Sequence, residues 1–150
     1  MAQEKVYLAA PLFSLAEKRL NEELARNLED NGFCVFLPQR DGMEFAEERS
    51  ITPSRRAQLI YELDVQKVEE ADIVIAVLDG RVPDEGVCVE IAIAAEQRRI
   101  TGRQKLILGL KTDTRMLLDE AELNPMIMGC LDSLFRTFAD VLVHIRKATV

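Results

Sequence analysis

ADIVIAVLDGRVPDEGVCVEIAIAA, residues 71–95, is the stretch that decides the fold. An apolar run over residues 73–78 predicts a buried strand, and the Asp, Pro and Gly residues after it predict a loop. The apolar residues from Val87 onward then predict a helix, whose apolar part contains a single carboxylate, Glu90. Because apolar residues surround Glu90 on every side, we expect other parts of the protein to cover most of this helix.

Glu90 and Asp84 are the first candidates for a functional site. An ionised carboxylate in apolar surroundings costs several kcal/mol unless it is paired or neutralised. Glu90 therefore either faces solvent on a helix that looks more buried than it is, or faces a cleft that uses its charge. Asp84 lies in the loop or at the helix N-cap, where backbone N–H groups favour an anion. Two carboxylates in such different surroundings can divide the roles of nucleophile and acid.

The chain of 150 residues carries a net charge of −7 and has an isoelectric point near 4.8. Its length predicts a single domain over residues 1–150, with a core that needs no disulfide or metal. The acidic surplus argues against a nucleic-acid polymer or an anionic membrane as partner, but permits a small molecule. No apolar run approaches the ~20 residues of a membrane-spanning helix, and the N-terminus has no signal-peptide pattern.

Cysteine and histidine usage narrows the chemistry. Cys34, Cys88 and Cys130 show no CxxC spacing, which favours reduced, structural thiols in a cytoplasmic protein. Cys88 lies near a predicted helix start, so a reactive thiol at this position stays open. His144 is the only histidine, which argues against a His-based triad or a zinc cluster.

Strand and helix patterns alternate along the whole chain. Strands are predicted at residues 6–10, 33–37, 73–78, 105–110 and 141–145, and helices at residues 15–30, 53–70, from Val87 to Gly102, and 127–140. Ser14 with Glu17 has the form of a capping box, Asn31-Gly32 a helix stop, and Thr52-Pro53 a helix start. Residues 39–50 predict a polar loop, and residues 111–124 a polar segment with one helical turn.

This alternation predicts an α/β fold, a flavodoxin-like or Rossmann-like three-layer sandwich. Its five-stranded parallel sheet has the order 2-1-3-4-5, with helices on both faces. Ligands bind such sheets beyond the carboxyl ends of strands 1 and 3, which places Asp84 and Glu90 at the predicted pocket. Asp64 lies beside the apolar stripe of helix 53–70 and is either a solvated charge or part of a site.

Four segments, taken in order, resemble the nucleoside 2-deoxyribosyltransferase family. They are residues 7–14 (YLAAPLFS), residues 37–41 (LPQRD), the motif Asp84-x-Gly86-x-x-x-Glu90, and residues 124–126 (NPM). Asp64 falls where that family has an active-site aspartate. The resemblance covers nearly the whole chain, with three departures. Ala92 and Ala10 replace glycines of the family pattern, and Val87 replaces a small residue, so we expect a changed pocket wall and leave the substrate preference open.

The resemblance implies a retaining double displacement. Glu90 would attack C1′ of a 2′-deoxynucleoside, giving a covalent 2-deoxyribosyl-enzyme, and a second nucleobase would then take the sugar. Asp84 would contact the base and deliver the proton. Asp64 would bind sugar hydroxyls or orient that proton network. Tyr7 would hold Glu90 through its phenol, or would simply pack in the core.

The resemblance also assigns the substrate contacts. Gln39 offers the paired donor and acceptor that a nucleobase edge requires, and Phe13 and Gly86 belong to the substrate-binding set. Asn124 would reach the sugar site of a neighbouring subunit, so a homo-oligomer, dimer or hexamer, is expected. The expected partners are 2′-deoxynucleosides and free nucleobases. No metal or organic cofactor is needed.

Three rival functions remain. A 2′-deoxynucleoside 5′-phosphate N-glycosidase would use water as acceptor and would need a Gly- and Ser-rich phosphate cradle after strand 1. Residues 9–14 (AAPLFS) hold one hydroxyl and no glycine, which disfavours it. A receiver-type signalling module would use Asp79 as phosphoacceptor, but it needs an acidic pair where residues 9–11 are AAP. A plain nucleotide-binding scaffold stays open as the third.

Overall fold

Short apolar runs form the strands of the computed structural model, which describes residues 3–43, 51–113 and 123–148. The elements within these residues are β1 (Lys5–Ala9), α1 (Leu15–Asp30), β2 (Cys34–Phe36), α2 (Pro38–Asp41), α3 (Pro53–Glu70), β3 (Ile73–Val77), α4 (Glu85–Thr101), β4 (Leu106–Leu110), α5 (Pro125–Met128), β5 (Ser133–Phe135) and α6 (Phe138–Ala148). All four strand pairings are parallel, and the order is β2-β1-β3-β4-β5. The predicted fold and strand order are confirmed.

The sheet separates two apolar layers. On one face, Leu24 and Leu28 of α1 and Val141 and Ile145 of α6 pack against the strands. On the other face, Val68 of α3 and the buried side of α4 do so. Because β3 is buried on both faces along its whole length, its continuous apolar sequence is what a central parallel strand requires.

Capping residues set the helix bounds that the sequence predicts. The Ser14 hydroxyl accepts a hydrogen bond from Glu17 N–H (3.2 Å), and Glu17 Oε2 accepts one from Ser14 N–H (2.6 Å), which completes a capping box. Gly32, just past α1, has φ +90°, a conformation that favours glycine. Thr52 caps α3 through a hydrogen bond from Arg55 N–H (3.2 Å). The predicted helices 15–30 and 53–70 are confirmed.

The prediction for residues 127–145 is wrong: the last strand and the final helix occur in the opposite order. Residues 133–135 form the edge strand β5, and residues 138–148 form α6. Asp132 fixes the start of β5, because its N–H donates to Ile107 O and its Oδ2 accepts from Ile107 N–H, both at 2.8 Å. The Thr137 hydroxyl then accepts from Asp140 N–H (3.2 Å), as an N-cap does.

The run VLVHI, residues 141–145, looks like a strand because Val and Ile favour strands. Its buried members, Val141 and Ile145, are four residues apart, which is the spacing of one helix face. Residues 38–41, predicted as loop, form the short helix α2. Residues 44–50 of the predicted loop and residues 114–122, with the predicted helical turn, lie outside the described residues.

The prediction that α4 is covered on most sides is also wrong. Val87, Ile91 and Ala94 are buried, whereas Val89 and Ile100 are 53% and 68% exposed. One face of α4 therefore packs on the sheet and the other faces outward. No helix in the described part of the chain is long and apolar enough to cross a membrane.

Lys105 joins the start of β4 to the C-terminal end of α3. Its side chain is buried, and its Nζ donates to the main-chain carbonyls of Val68, Glu69 and Ala71 at the C-terminal end of α3. These carbonyls have no partner within a helix. Burial, with the nearby Arg103 cation, lowers the pKa of Lys105 to about 8.

We predict that Lys105→Met lowers the free energy of unfolding in urea by about 1–3 kcal/mol, because three carbonyls lose a donor. Since the folded-state pKa lies below the ordinary value of 10.5, the folded protein loses this proton first as pH rises. The wild-type advantage should therefore grow between about pH 8 and pH 10.5. A difference in unfolding free energy that shrinks over this range would contradict the assignment.

Candidate functional site

A cavity of about 460 Å³ opens at the carboxyl ends of β1 and β3, the predicted ligand position. Five of the predicted site residues line it, namely Phe13, Asp64, Asp84, Gly86 and Glu90. Apolar side chains form much of the remaining wall, namely Ala10, Leu12, Pro38, Ile60 and Val87. A mostly apolar cavity with a few converging polar groups is the usual form of a small-molecule site.

Glu90 is held in this cavity by Tyr7. The phenol of Tyr7 donates a hydrogen bond to Glu90 Oε1 at 2.6 Å. Tyr7 is fully buried in β1, and its ring stacks on Phe36, with ring centroids 5.6 Å apart. Both sequence interpretations of Tyr7 therefore apply, since the ring packs in the core while the hydroxyl orients the carboxylate.

Asp84 is the N-cap of α4, one of the two positions expected for it. Its Oδ1 accepts a hydrogen bond from Val87 N–H at 3.1 Å. A Cβ at residue 86 would lie 3.1 Å from the same oxygen, so Gly86 leaves the room that this carboxylate occupies. The cap fixes Asp84 at the cavity, six residues before Glu90.

Asp64 reaches the cavity from α3, together with Ile60 one turn earlier. The described lining thus carries three carboxylates, and Lys18 is the one cationic side chain among these lining residues. A cavity with this excess of negative charge favours positive charge that develops in a bound molecule.

Gln39 and Asn124 lie outside the described lining of the cavity. The Gln39 amide accepts from Asn21 Nδ2 (2.9 Å) and donates to Lys18 O (3.0 Å), so it joins α2 to α1. Asn124 is exposed, and its Oδ1 accepts from Met126 N–H (2.9 Å) at the start of α5. Phe13 lies at the mouth, 78% exposed.

Sequence reasoning missed Lys18 and Ile60. Each lies four residues from a position that the sequence did single out, Ser14 and Asp64, and this helical spacing is the signal that would have found them. Of the departures from the family pattern, Val87 is buried in the cavity wall. Ala92 is exposed on the outer face of α4, away from the described lining.

Two rival chemistries lose support. Burial, with the carboxylates of Asp84 and Glu85, raises the pKa of the Cys88 thiol, which disfavours a reactive thiolate. The Asp79 carboxylate accepts hydrogen bonds from Thr112 N–H and its hydroxyl, so a structural role explains it. Within residues 3–43, 51–113 and 123–148, no cluster of three His, Cys, Asp or Glu side chains could hold a metal ion.

A parallel sheet with carboxylates converging beside its switch point is an α/β arrangement typical of enzymes that act on small ligands. A model of the nucleoside 2-deoxyribosyltransferase family matches residues 6–141, and the chain belongs to this family. It is therefore a nucleoside-handling enzyme of the glycosyl-transfer or N-glycosidase type.

Solved structures with the same fold are similar over most of the chain. A conserved protein from Enterococcus faecalis V583 is 25% identical, with a TM-score of 0.80 over 98% of this chain and 99% of that one. A 2-deoxyribosyltransferase from Bacillus psychrosaccharolyticus is 20% identical, with a TM-score of 0.73 over 91% and 89%. A CMP N-glycosidase from Clostridium botulinum is 20% identical, with a TM-score of 0.56 over 97% and 99%. The last two show the fold alone.

We predict that Asp84→Ala lowers the free energy of unfolding by about 1 kcal/mol, because α4 loses its N-cap, whereas Asp84→Asn keeps the stability. Asparagine caps helices as well as aspartate does, so the pair separates the cap from the charge. Thermal or urea unfolding of the two variants measures this. Equal losses in both would show that the negative charge, rather than the cap, stabilises α4.

Proposed function

We propose that this enzyme transfers the 2-deoxyribosyl group between nucleobases through a covalent intermediate on Glu90. The hydrogen bond from Tyr7 to Glu90 Oε1 carries the proposal, because it directs a half-buried carboxylate into a cavity that also holds Asp84 and Asp64. A carboxylate so oriented is prepared for attack on an anomeric carbon.

The first step exchanges one bond at C1′ for another. A Glu90 oxygen forms a bond to C1′ as the bond from C1′ to the base nitrogen breaks, and Asp84 donates a proton to the departing base. In the second step, the nitrogen of an acceptor base attacks C1′ and releases Glu90, and Asp84 takes back a proton. Positive charge on the sugar is stabilised by the surrounding carboxylates.

The remaining residues bind and orient the substrate in this proposal. Asp64, across the cavity on α3, binds sugar hydroxyls or orients the proton network. Phe13 packs against the base at the mouth. Gly86 leaves the space in which Asp84 lies. The Gln39 amide already forms hydrogen bonds with two residues of α1. We therefore propose that Gln39 supports the cavity wall next to Pro38 and does not contact the base.

Hydrolysis is the second candidate function. The covalent ester between the sugar and Glu90 can react with water in place of an acceptor base. Hydrolysis of a 5′-phosphorylated nucleoside is disfavoured by the hydrogen bonding at the start of α1. The N–H groups of Ser14 and Phe13 both donate to Glu17 Oε2, at 2.6 and 3.0 Å, and these hydrogen bonds lower the pKa of Glu17. The donors that would receive a phosphate already hold an anion.

We also propose that the active enzyme is a homo-oligomer in which Asn124 serves a neighbouring subunit. Asn124 is exposed and lies outside the described cavity lining of its own chain, which is consistent with a role in another copy. Full activity of a protein that sediments as a monomer would contradict this.

We predict that Glu90→Ala lowers base exchange by at least about a hundredfold while the unfolding transition stays close to that of wild type. The assay incubates a 2′-deoxynucleoside with and without a free acceptor base and separates the products by chromatography. Glu96→Gln is the matched control, because Glu96 lies on the exposed face of the same helix and pairs with Arg99.

Exchange that requires the acceptor base supports the transferase, and free sugar in its absence supports the hydrolase. If Glu90→Ala keeps more than a few per cent of the wild-type rate, Glu90 is not the nucleophile. If wild-type protein yields neither product across a panel of purine and pyrimidine deoxynucleosides, the proposed function fails.

We predict that the wild-type protein has a higher kcat/KM for a 2′-deoxynucleoside than for its 5′-monophosphate. Glu17→Gln should lower the ratio of these two kcat/KM values by about tenfold, which corresponds to about 1.4 kcal/mol. Glutamine keeps an acceptor for the capping box but removes the charge that repels phosphate. Glu23→Gln, an exposed change on the same helix, should leave the ratio unaltered. An equal shift in both variants would refute the role of Glu17.

A further inference from the structure

Three charged side chains join the loop after β3 to the residues after β4. They are Asp79, Lys111 and Asp113, which we call the loop latch. The loop they hold, residues 79–84, ends at Asp84, whereas none of the three lines the cavity among the described residues. Any effect of the latch on the site is therefore transmitted through the main chain.

Lys111 is the centre of the latch and is only 4% exposed. Its Nζ donates to Leu78 O (3.0 Å), Gly80 O (3.1 Å) and Asp113 Oδ2 (3.0 Å). These three hydrogen bonds use all three donors of the ammonium group. An ammonium group placed in this way fixes the positions of two main-chain carbonyls at the start of the loop, those of Leu78 and Gly80.

Gly80 is held from both sides. While its carbonyl accepts from Lys111, its N–H donates to Asp113 Oδ2 at 2.7 Å. Its φ of +110° is a conformation that side chains other than glycine rarely adopt. The latch thus fixes a residue whose backbone would otherwise have unusual freedom.

Asp79 completes the latch in the opposite direction. Its Oδ1 accepts from the N–H groups of Thr112 (2.6 Å) and Asp113 (3.0 Å), and its Oδ2 accepts from the Thr112 hydroxyl (2.6 Å). Each segment thus carries charged groups that bind the main chain of the other. Neither segment can shift without breaking several charge-assisted hydrogen bonds.

We propose that Lys111 is a positioning residue for the transfer reaction, because it fixes the loop that carries Asp84 to the cavity. The proposal rests on the proposed function for the role of Asp84. Only three residues separate Gly80 from Asp84, and the Asp84 carboxylate fits closely beside Gly86. A displacement of about 1 Å at a group that transfers a proton can cost a hundredfold in rate.

Lys105 provides a matched control for stability alone. Both lysines are buried and donate to main-chain carbonyls, but Lys105 precedes β4, at the opposite end of the strand from the cavity. Lys105→Met and Lys111→Met remove the same chemical group. We expect both to destabilise the fold, and only Lys111→Met to lower kcat by about 10- to 100-fold at a temperature where both are folded.

The double variant Lys111→Met/Asp84→Asn tests whether Lys111 acts through Asp84. If it does, Lys111→Met changes the residual rate of Asp84→Asn by less than about twofold. Equal fold-losses in the two backgrounds would overturn the proposal, as would a kcat of Lys111→Met within about twofold of the Lys105→Met value. Asp79→Asn, a milder change in the same latch, replaces Lys111→Met if that variant does not fold.

Amide hydrogen exchange tests the latch independently of activity. Peptides covering residues 79–90 should exchange faster in Lys111→Met than in wild type. In Lys105→Met, their exchange rate should equal that of wild type. Unchanged exchange over residues 79–90 in Lys111→Met would overturn the latch even in an active enzyme. If the wild-type protein is inactive but Lys111→Met still exchanges faster over residues 79–90, the proposed function is contradicted. The structural role of the latch is then still supported.

Discussion

One hydrogen bond, from the Tyr7 phenol to Glu90 Oε1, is the interaction on which the arrangement of the site depends. A half-buried carboxylate is costly without a partner, and Tyr7 is rigid because it is fully enclosed between Phe36 and the core. The hydrogen bond joins the interior strand β1 to the helix α4. The position of the Glu90 carboxylate is thereby set by a buried strand of the sheet instead of by a loop.

The other acidic groups differ in how firmly they are fixed. Asp84 is held by the start of α4 and by the loop before it, and Asp64 by a long helix, α3. Their common effect is a cavity in which anions predominate, opposite to the needs of a phosphate but suited to a sugar that becomes positive as its base departs. Under the proposed function, the same charge balance and the occupied start of α1 favour an uncharged nucleoside as substrate over its 5′-phosphate.

Most of the sheet and of the site could be predicted from the sequence, because apolar runs, caps and carboxylates each have a local signal. Ser14 with Glu17 and Thr52 with Pro53 define helix starts within a few residues. The order of the last strand and helix has no such signal, because the Val- and Ile-rich residues 141–145 suit either structure until they are packed. The engagement of Gln39 by Asn21, 18 residues away, likewise depends on tertiary contact. The outer face of α4 looked buried because composition does not tell which side of an apolar helix has a neighbour.

β4 has the sequence LILGL, with a lysine on each side, and both lysines are buried. A strand that is apolar on both faces has little in its own side chains to prevent it from sliding along its neighbour, because no alternation of polar and apolar residues would be violated. Lys105 and Lys111 supply this missing control of the strand register. A slip by one residue would pull both ammonium groups away from their carbonyl acceptors, so the two cations act as stops that fix Ile73 opposite Leu106 and Val77 opposite Leu110.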